Sequence, residues 1–140
     1  MPGVLVHPLT PADHDLLDAA VRLFRATEVA DHTPFLADPA SIAFVALEEG
    51  RVIGWAWGVR QRHAAGYSQV QLYELAVART SRRRGVGRAL LTAFRDLARA
   101  EGHRRMWLFT DQGNTAAKAL YASEGGEPSP HDDAGYWWQL

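Results

Sequence analysis

The stretch from Leu72 to Arg88, LYELAVARTSRRRGVGR, decides the fold of this chain. It begins with an apolar run typical of a strand, continues as an arginine-rich loop, and ends where a helix is predicted to begin. The first backbone N–H groups of a helix lack partners and carry partial positive charge. Gly85 and Gly87 let an anion approach the backbone closely, and the neighbouring arginines add charge. The sequence therefore predicts a pyrophosphate-binding loop at a helix N-terminus.

The loop matches neither of two common phosphate-binding patterns. A P-loop ends in Gly-Lys-Ser/Thr, and the dinucleotide pattern is Gly-x-Gly-x-x-Gly, whereas this chain has Arg82-x-x-Gly85-x-Gly87. Read alone, it is equally consistent with a solvated basic turn. The segment that follows predicts an amphipathic helix ended by Gly102. Its apolar stripe is Val86, Ala89, Leu90, Ala93, Phe94, Leu97 and Ala98.

Upstream of the loop, hydrophobic patterning predicts four strands and two helical segments. Thr10 is the predicted N-cap of the first helix, with Pro11 as its first residue and Asp13 as capping-box partner. Alternation along the fourth strand places Leu72, Glu74 and Ala76 on one face and Tyr73, Leu75 and Val77 on the other. The predicted strands are Val4–His7, Ile42–Leu47, Val52–Val59 and Gln69–Val77, with a short helix or ordered loop in Thr27–Pro39.

Downstream of the loop, the patterning predicts a buried strand over Met106–Thr110, a helix capped by Asn114, and a final strand over Tyr136–Leu140. Alternating strands and helices of this kind are typical of an α/β fold on one mixed, mostly antiparallel sheet flanked by helices. A chain of 140 residues fits a single domain, which we expect to span residues 1–140.

Composition excludes several classes of function. The net charge of -1 argues against a nucleic-acid-binding protein, and the chain has no cysteine for disulfides, thiolate metal sites or a nucleophile. The six histidines show no metal-ligand spacing. No long apolar run predicts a membrane span, and the N-terminus does not resemble a signal peptide, so we expect a cytoplasmic protein without membrane contacts.

Two motifs together resemble those of the GNAT superfamily of N-acetyltransferases. The first is Arg82-x-x-Gly85-x-Gly87 between a strand and a helix, and the second is Asn114-x-x-Ala117-x-x-Leu120-Tyr121. The resemblance implies acetyl-CoA as cofactor and a sheet that splays between its fourth and fifth strands at the cofactor cleft. It also implies the cofactor-binding residues, which are Leu75, Ala76, Val77, Arg82, Arg83, Arg84, Gly85, Val86, Gly87, Arg88, Asn114 and Ala117.

The same resemblance implies two catalytic residues. An amine acceptor must lose a proton before it attacks a thioester, and the Glu74 carboxylate is the expected general base. Tyr121 is the expected acid that protonates the leaving thiolate. Glu74 is otherwise consistent with a salt bridge at a strand edge, and Tyr121 with a core aromatic. Asn114 is consistent with a helix cap as well as with a cofactor contact.

Within the superfamily, the strand Leu72–Val77 resembles the GNAT-type aminoglycoside 3-N-acetyltransferases, which usually carry aspartate where this chain has Glu74. The implied acceptor is the primary amine of a small polycation, and acidic residues are expected to line its site. We expect Glu28, Asp31 and Asp111, together with Glu74, to take this role. Gly125-Gly126 replaces the Gly-aromatic pair often found after the tyrosine helix.

Three alternatives remain open at this stage. The acceptor is another small amine or polyamine, or it is a protein or peptide amine, or the chain is a non-catalytic acyl-CoA sensor. Glu74 and Tyr121 favour an enzyme over a sensor. Trp55 and Trp57 share one strand face, where we expect them in the core; they are also candidates for the wall of a pocket. The apolar end Tyr136–Trp138 suits a homodimer contact or packing on its own sheet.

Overall fold

Five strands form one open sheet in the order β1-β2-β3-β4-β5. The computed structural model describes residues 3–129, 136 and 138–140. The first four strands pair antiparallel with their neighbours, and β5 pairs parallel to β4. The predicted α/β fold with a mixed, mostly antiparallel sheet is thus confirmed. The strands are β1 (Val4–Pro8), β2 (Ser41–Glu48), β3 (Arg51–Arg62), β4 (Ser68–Val77) and β5 (Met106–Trp107).

Four α-helices accompany the sheet in the described part of the chain. They are α1 (His14–Arg25), α2 (Thr33–Leu36), α3 (Val86–Ala100) and α4 (Thr115–Ser123). A 3-10 turn, Arg79–Ser81, joins β4 to the loop before α3. Gly102 follows α3 with a φ of 80°, a left-handed conformation that favours glycine, so the predicted stop is confirmed.

The two faces of the sheet bury different helices. On one face α3 packs through Val86, Leu90, Leu91, Phe94 and Ala98, all of which are buried. On the other face α1 contributes to a cluster of buried residues with β2 and β3. The members of this second cluster are Leu17, Ala20, Val45 and Trp55. The sheet is therefore covered by a helix on each face.

A β-bulge in β4 corrects the predicted faces of this strand. Two consecutive residues of β3, Trp57 and Gly58, pair with Glu74 and Leu72 of β4. Tyr73, between Glu74 and Leu72, has no partner on β3 and is the extra residue of the bulge. Paired residues share a face of the sheet, and a Cβ on Gly58 would meet Phe94 of α3. Leu72 consequently lies on the α3 face, not on the face of Glu74 and Ala76.

Two predicted element boundaries are wrong. The first helix begins at His14, not Pro11, because Asp13 adopts φ -98° and ψ 40° and interrupts the turn that starts at Thr10. The Thr10 N–H still donates to the Asp13 carboxylate at 2.7 Å, so the local hydrogen bond forms without continuing the helix. The fifth strand comprises only Met106–Trp107.

The predicted final strand is not observed where the structure describes it. Tyr136 and residues 138–140 have no strand conformation, and residue 137 lies outside the described residues. The chain divides into two compact units with the boundary between Phe109 and Thr110. A single domain over residues 1–140 stays a prediction. No α-helix among the described residues has the length and apolar character needed to cross a membrane.

Arg60 joins three parts of the first unit. Its guanidinium donates to both oxygens of Glu101, after α3, at 2.7 Å each, and to the carbonyls of Pro39 and Ser41. His103 contacts the same carboxylate at 2.9 Å. The hydrogen bonds from Arg60 lower the pKa of Glu101 to about 2. This ion pair fixes the end of α3 to the sheet.

We expect Glu101→Gln to lower the free energy of unfolding by about 1–2 kcal/mol at pH 7, after discounting for partial exposure of the pair. The folded-state pKa of Glu101 lies below its ordinary 4.5, so this stability is present above pH 4.5 and is lost as pH falls toward 2. Urea denaturation at several pH values measures it. Glu127→Gln, at an exposed position, is the control, and equal acid sensitivity of all three proteins would contradict the assignment.

Candidate functional site

The C-terminal half of β4 has one strand neighbour instead of two. On one side Leu75, Ala76 and Val77 pair with β3. On the other side β5 pairs only with Val70 and Gln71, and no strand in the described chain continues this pairing toward Val77. The predicted splay between the fourth and fifth strands is therefore present. It leaves backbone groups of β4 available to a ligand that lies along the strand.

The arginine loop that follows β4 is held in place by two of its own side chains. The Nε of Arg82 donates to the carbonyl of Val77 at 3.1 Å. Arg84 forms a bidentate ion pair with Glu48 at the end of β2, which lowers the pKa of the Glu48 carboxyl. Arg82 and Arg84 thus anchor the loop to the sheet. Arg83 adopts a left-handed φ of 63° and is exposed.

The N-terminus of α3 is open to an anion. Gly85 is its N-cap at φ 82° and ψ 11°, and no side chain caps the helix. The carbonyl of Gly85 accepts the first intrahelical bond from Ala89, which leaves the preceding N–H groups of the first turn, including that of Gly87, without an intrahelical acceptor. N–H groups without an intrahelical acceptor, a positive helix dipole and the exposed side chains of Arg83 and Arg88 fit a pyrophosphate.

Glu74 lies on the α1 face of β4, one residue before Leu75, and its side chain is 20% exposed. The indole Nε1 of Trp57 donates to one carboxylate oxygen at 3.2 Å. The guanidinium of Arg25, at the end of α1, lies 3.5 Å from the other oxygen. The carboxylate is therefore oriented by the sheet, yet it keeps a partly open side from which a proton can be accepted.

The second unit contains the predicted acid and the predicted cap. Asn114 is confirmed as the N-cap of α4, because its Oδ1 accepts from the Ala117 N–H at 3.1 Å. Tyr121 is half-buried on α4, and burial raises the pKa of its phenol. A phenol with a raised pKa stays protonated at neutral and mildly alkaline pH, which suits a proton donor. Asp111 is exposed in the turn before α4.

Two of the predicted acceptor-binding acids come together in an open hollow of about 530 Å³. Glu28 accepts a hydrogen bond from Arg22 at 2.5 Å, and Asp31 accepts one from the Thr33 N–H. Acidic side chains outnumber basic ones in its lining. The lining residues are His14, Asp15, Asp18, Arg22, Glu28, Val29, Ala30, Asp31 and His32. The hollow fits a cationic group better than an anionic one.

Sequence reasoning missed three residues that shape the site: Arg25, Glu48 and the bulged Tyr73. Arg25 and Glu48 lie 49 and 36 positions from their partners, and no local pattern relates them. Trp57 was expected in the core or in the wall of a pocket, and its hydrogen bond to Glu74 depends on strand register. In the described part of the chain, no group of three or more His, Asp or Glu side chains could hold a metal ion.

Comparison with known proteins places this geometry in a family. The profile of the acetyltransferase (GNAT) family matches residues 11–125. A mycothiol acetyltransferase from Jonesia denitrificans is 30% identical over 94 residues, which cover 67% of this chain. The matched residues make up 29% of the relative, so this chain spans less than a third of the relative's length.

Solved structures share the fold. An aminoglycoside acetyltransferase, meta-AAC0020, from an uncultured soil metagenomic sample superposes with a TM-score of 0.88 in its complex with sisomicin, at 20% identity over 99% of this chain and 97% of that one. The aminoglycoside N-acetyltransferase AAC(6')-Iy in complex with CoA has a TM-score of 0.78 at 18% identity, covering 98% and 94%. Acetyl-CoA is the cofactor of such enzymes. By its profile match and its splayed sheet, the chain belongs to the acetyltransferase (GNAT) family.

Proposed function

We propose that the chain is an N-acetyltransferase that moves an acetyl group from acetyl-CoA to a primary amine of a small polycationic aminosugar, of the aminoglycoside type. The observation that carries this proposal is the position of Glu74. Glu74 immediately precedes residues 75–77, the part of β4 that pairs with β3 but not with β5. The arginine loop then connects this part of β4 to the N-terminus of α3. A proton acceptor therefore adjoins a site suited to a pyrophosphate-bearing thioester.

The residues proposed to hold the cofactor follow the chain from β4 into α3. Backbone groups of Leu75, Ala76 and Val77 would bind the pantetheine amides along the unpaired edge. The N–H groups of residues 83–88 and the Arg83 guanidinium would bind the pyrophosphate. Ala117 and Asn114 are proposed to contact the cofactor from α4, with Asn114 also serving as the observed cap. When bound, acetyl-CoA supplies an activated acetyl thioester.

Glu74 is the proposed general base. It takes a proton from the acceptor ammonium, directly or through a water molecule, and the freed lone pair forms the N–C bond. Tyr121 would donate a proton to the sulfur as the N–C bond replaces the C–S bond. In becoming an amide the acceptor ammonium loses two protons: Glu74 would take one and pass it to solvent, and the other would replace, through water, the proton that Tyr121 gives to the sulfur. Trp57 holds one oxygen of the Glu74 carboxylate by its hydrogen bond.

We expect Tyr121→Phe to lower kcat by about 10–100-fold, because it removes the proposed donor and keeps the ring. Acetyl-CoA affinity, measured by calorimetry, should stay within about twofold. Tyr136→Phe is a matched control, since Tyr136 is 80% exposed. Unchanged turnover in Tyr121→Phe would show that Tyr121 serves as a packing residue.

The acidic hollow supports a polycationic acceptor. Four acidic side chains surround its opening: Asp15, Asp18, Glu28 and Asp31. Its lining also includes Arg22, which is one helical turn from Arg25 on α1, and Arg25 contacts Glu74. Asp111 is proposed as an additional acceptor contact. Two solved neighbours named as aminoglycoside acetyltransferases support this class, and the 3-N position stays a prediction. Four relatives named mycothiol acetyltransferases favour a mycothiol-related amine as the second candidate.

Release of free CoA thiol from acetyl-CoA tests the proposal against four acceptors: a gentamicin-type aminoglycoside, a kanamycin-type aminoglycoside, spermidine and a short lysine peptide. We expect release with the aminoglycosides and little with the peptide. Gly87→Asp is the control for cofactor dependence, because its carboxylate would face the pyrophosphate. Release with spermidine or the peptide alone would support acetyl transfer by this chain but would refute an aminosugar as its acceptor. Acetyl-CoA binding without release would favour a sensor.

A homodimer is proposed through the C-terminal end, where Tyr136 and Trp138 are 80% and 76% exposed. Exposed aromatic side chains of this size are common at protein interfaces. Sedimentation of the wild type and of Trp138→Ser at the same concentration tests it. A monomeric wild type would contradict it.

A further inference from the structure

An aromatic ladder crosses the α1 face of the sheet and ends beside Glu74. Phe24 stacks on Trp55 with ring centroids 5.5 Å apart, Trp55 lies 6.2 Å from Trp57, and Trp57 stacks on Tyr73 at 4.6 Å. Exposure changes sharply along this ladder. Trp55 is 4% exposed, whereas Tyr73 is 52% exposed. The inner rings belong to the core, and the outermost ring faces solvent.

The bulge of β4 explains why this exposed ring adjoins the proposed base. In a regular strand Tyr73 and Glu74 would point to opposite faces. Here both side chains contact Trp57: the Tyr73 ring stacks on the indole with planes 28° apart, and the Glu74 carboxylate accepts its N–H. Two consecutive residues therefore present an aromatic surface and a carboxylate to the same space.

Among the described residues, the Tyr73 ring stacks on one aromatic neighbour, Trp57. Trp57 is itself fixed by an edge-on contact with Phe35, with centroids 5.7 Å apart. Covering an exposed aromatic ring with an apolar surface is favourable, and a ring fixed by stacking loses little conformational entropy on binding. Its flat face matches the apolar C–H face of a saturated six-membered ring.

We propose that Tyr73 is an acceptor-binding residue on which the sugar or cyclitol ring next to the reacting amine packs, so that the amine lies at the Glu74 carboxylate. This inference rests on the proposed function and deepens it, because it identifies the amine as one carried on a saturated ring. Glu74 recognises the charge of the amine, and Tyr73 recognises the ring that bears it. Flexible linear amines make only the first contact.

Steady-state kinetics with a cyclic acceptor (kanamycin) and a linear acceptor (spermidine) tests this division. Tyr73→Leu keeps apolar bulk over Trp57 and removes the flat face, and Tyr73→Phe keeps the face. We expect Tyr73→Leu to raise KM for kanamycin by about 5–10-fold, the effect of losing part of one aromatic face. Its KM for spermidine, its kcat and its acetyl-CoA affinity should change by less than about twofold. Tyr73→Phe should resemble the wild type throughout.

A KM for kanamycin that is unchanged in Tyr73→Leu, or that rises equally for both amines, would overturn the role of Tyr73. Calorimetric titration of kanamycin into the protein with CoA measures acceptor binding without acetyl transfer. It therefore distinguishes failure of the Tyr73 contact from failure of the proposed function. A wild type that binds kanamycin more tightly than Tyr73→Leu but releases no CoA thiol would keep the ring contact and refute acetyl transfer. Absence of kanamycin binding in the wild type would overturn the ring contact as well.

Discussion

Gly58→Ala is expected to leave most of the protein unfolded or to lower its free energy of unfolding by at least about 3 kcal/mol. A Cβ at this position would lie 1.9 Å from the Gln71 carbonyl oxygen and 2.8 Å from Cζ of Phe94. The carbonyl belongs to the neighbouring strand, so it cannot move aside without opening the ladder between β3 and β4. Small domains have a total stability of about 5–15 kcal/mol, of which this loss is a large fraction.

Urea denaturation followed by circular dichroism measures this effect. Gly113→Ala is the matched control, because a Cβ there meets nothing within 4 Å and its φ is ordinary. We expect the control to stay within about 0.5 kcal/mol of the wild type. A Gly58→Ala protein as stable as the control would show that β3 and β4 do not approach as closely as described.

Glu74→Gln is expected to lower kcat by about 10²–10⁴-fold, the usual contribution of a positioned general base. The amide keeps the size of the side chain and an oxygen that can accept from Trp57, so the local packing should survive. Acetyl-CoA affinity, measured by calorimetry, should change by less than about twofold. The difference from the wild type should shrink at alkaline pH, where solvent deprotonates the acceptor amine without help.

The matched control is Glu49→Gln, at the exposed turn between β2 and β3. It changes the net charge equally and leaves β4 untouched, so its turnover should equal that of the wild type. Full activity of Glu74→Gln across the pH range would remove Glu74 from proton transfer. Its remaining role would then be to hold Trp57 and Arg25.

The strand, arginine loop and helix could be predicted from local sequence because their determinants are local. They follow one another within Leu72–Arg88, and the structure has all three, with Gly85 at φ 82° as the N-cap of α3. The N-cap role of Asn114 was equally accessible, since it needs only a side chain and an N–H three residues later. Such features depend on few residues, all of them adjacent.

The surroundings of Glu74 could not be predicted in the same way. The pairing of Trp57 with Glu74 depends on the register of two strands, and one bulged residue shifts every later side chain of β4 to the opposite face. Alternation read from the sequence therefore misplaced Leu72. The contact of Arg25 with Glu74 also requires α1 to lie across the sheet.

The proposed base, Glu74, was indicated by the resemblance to the GNAT superfamily. The amino-acid sequence by itself predicted the order of elements as far as α4 and a glycine- and arginine-rich loop suited to an anion. These follow from hydrophobic period, glycine positions and residue chemistry within short windows. Only the tertiary structure decided that Tyr73 and Glu74 share a face, that Arg84 is held by Glu48, and that Glu28 and Asp31 border one hollow. The first depends on how β4 pairs with β3, the second joins β2 to the loop before α3, and the third depends on how α1 packs beside residues 28–32. Strand register and packing of this kind are not encoded in any local pattern.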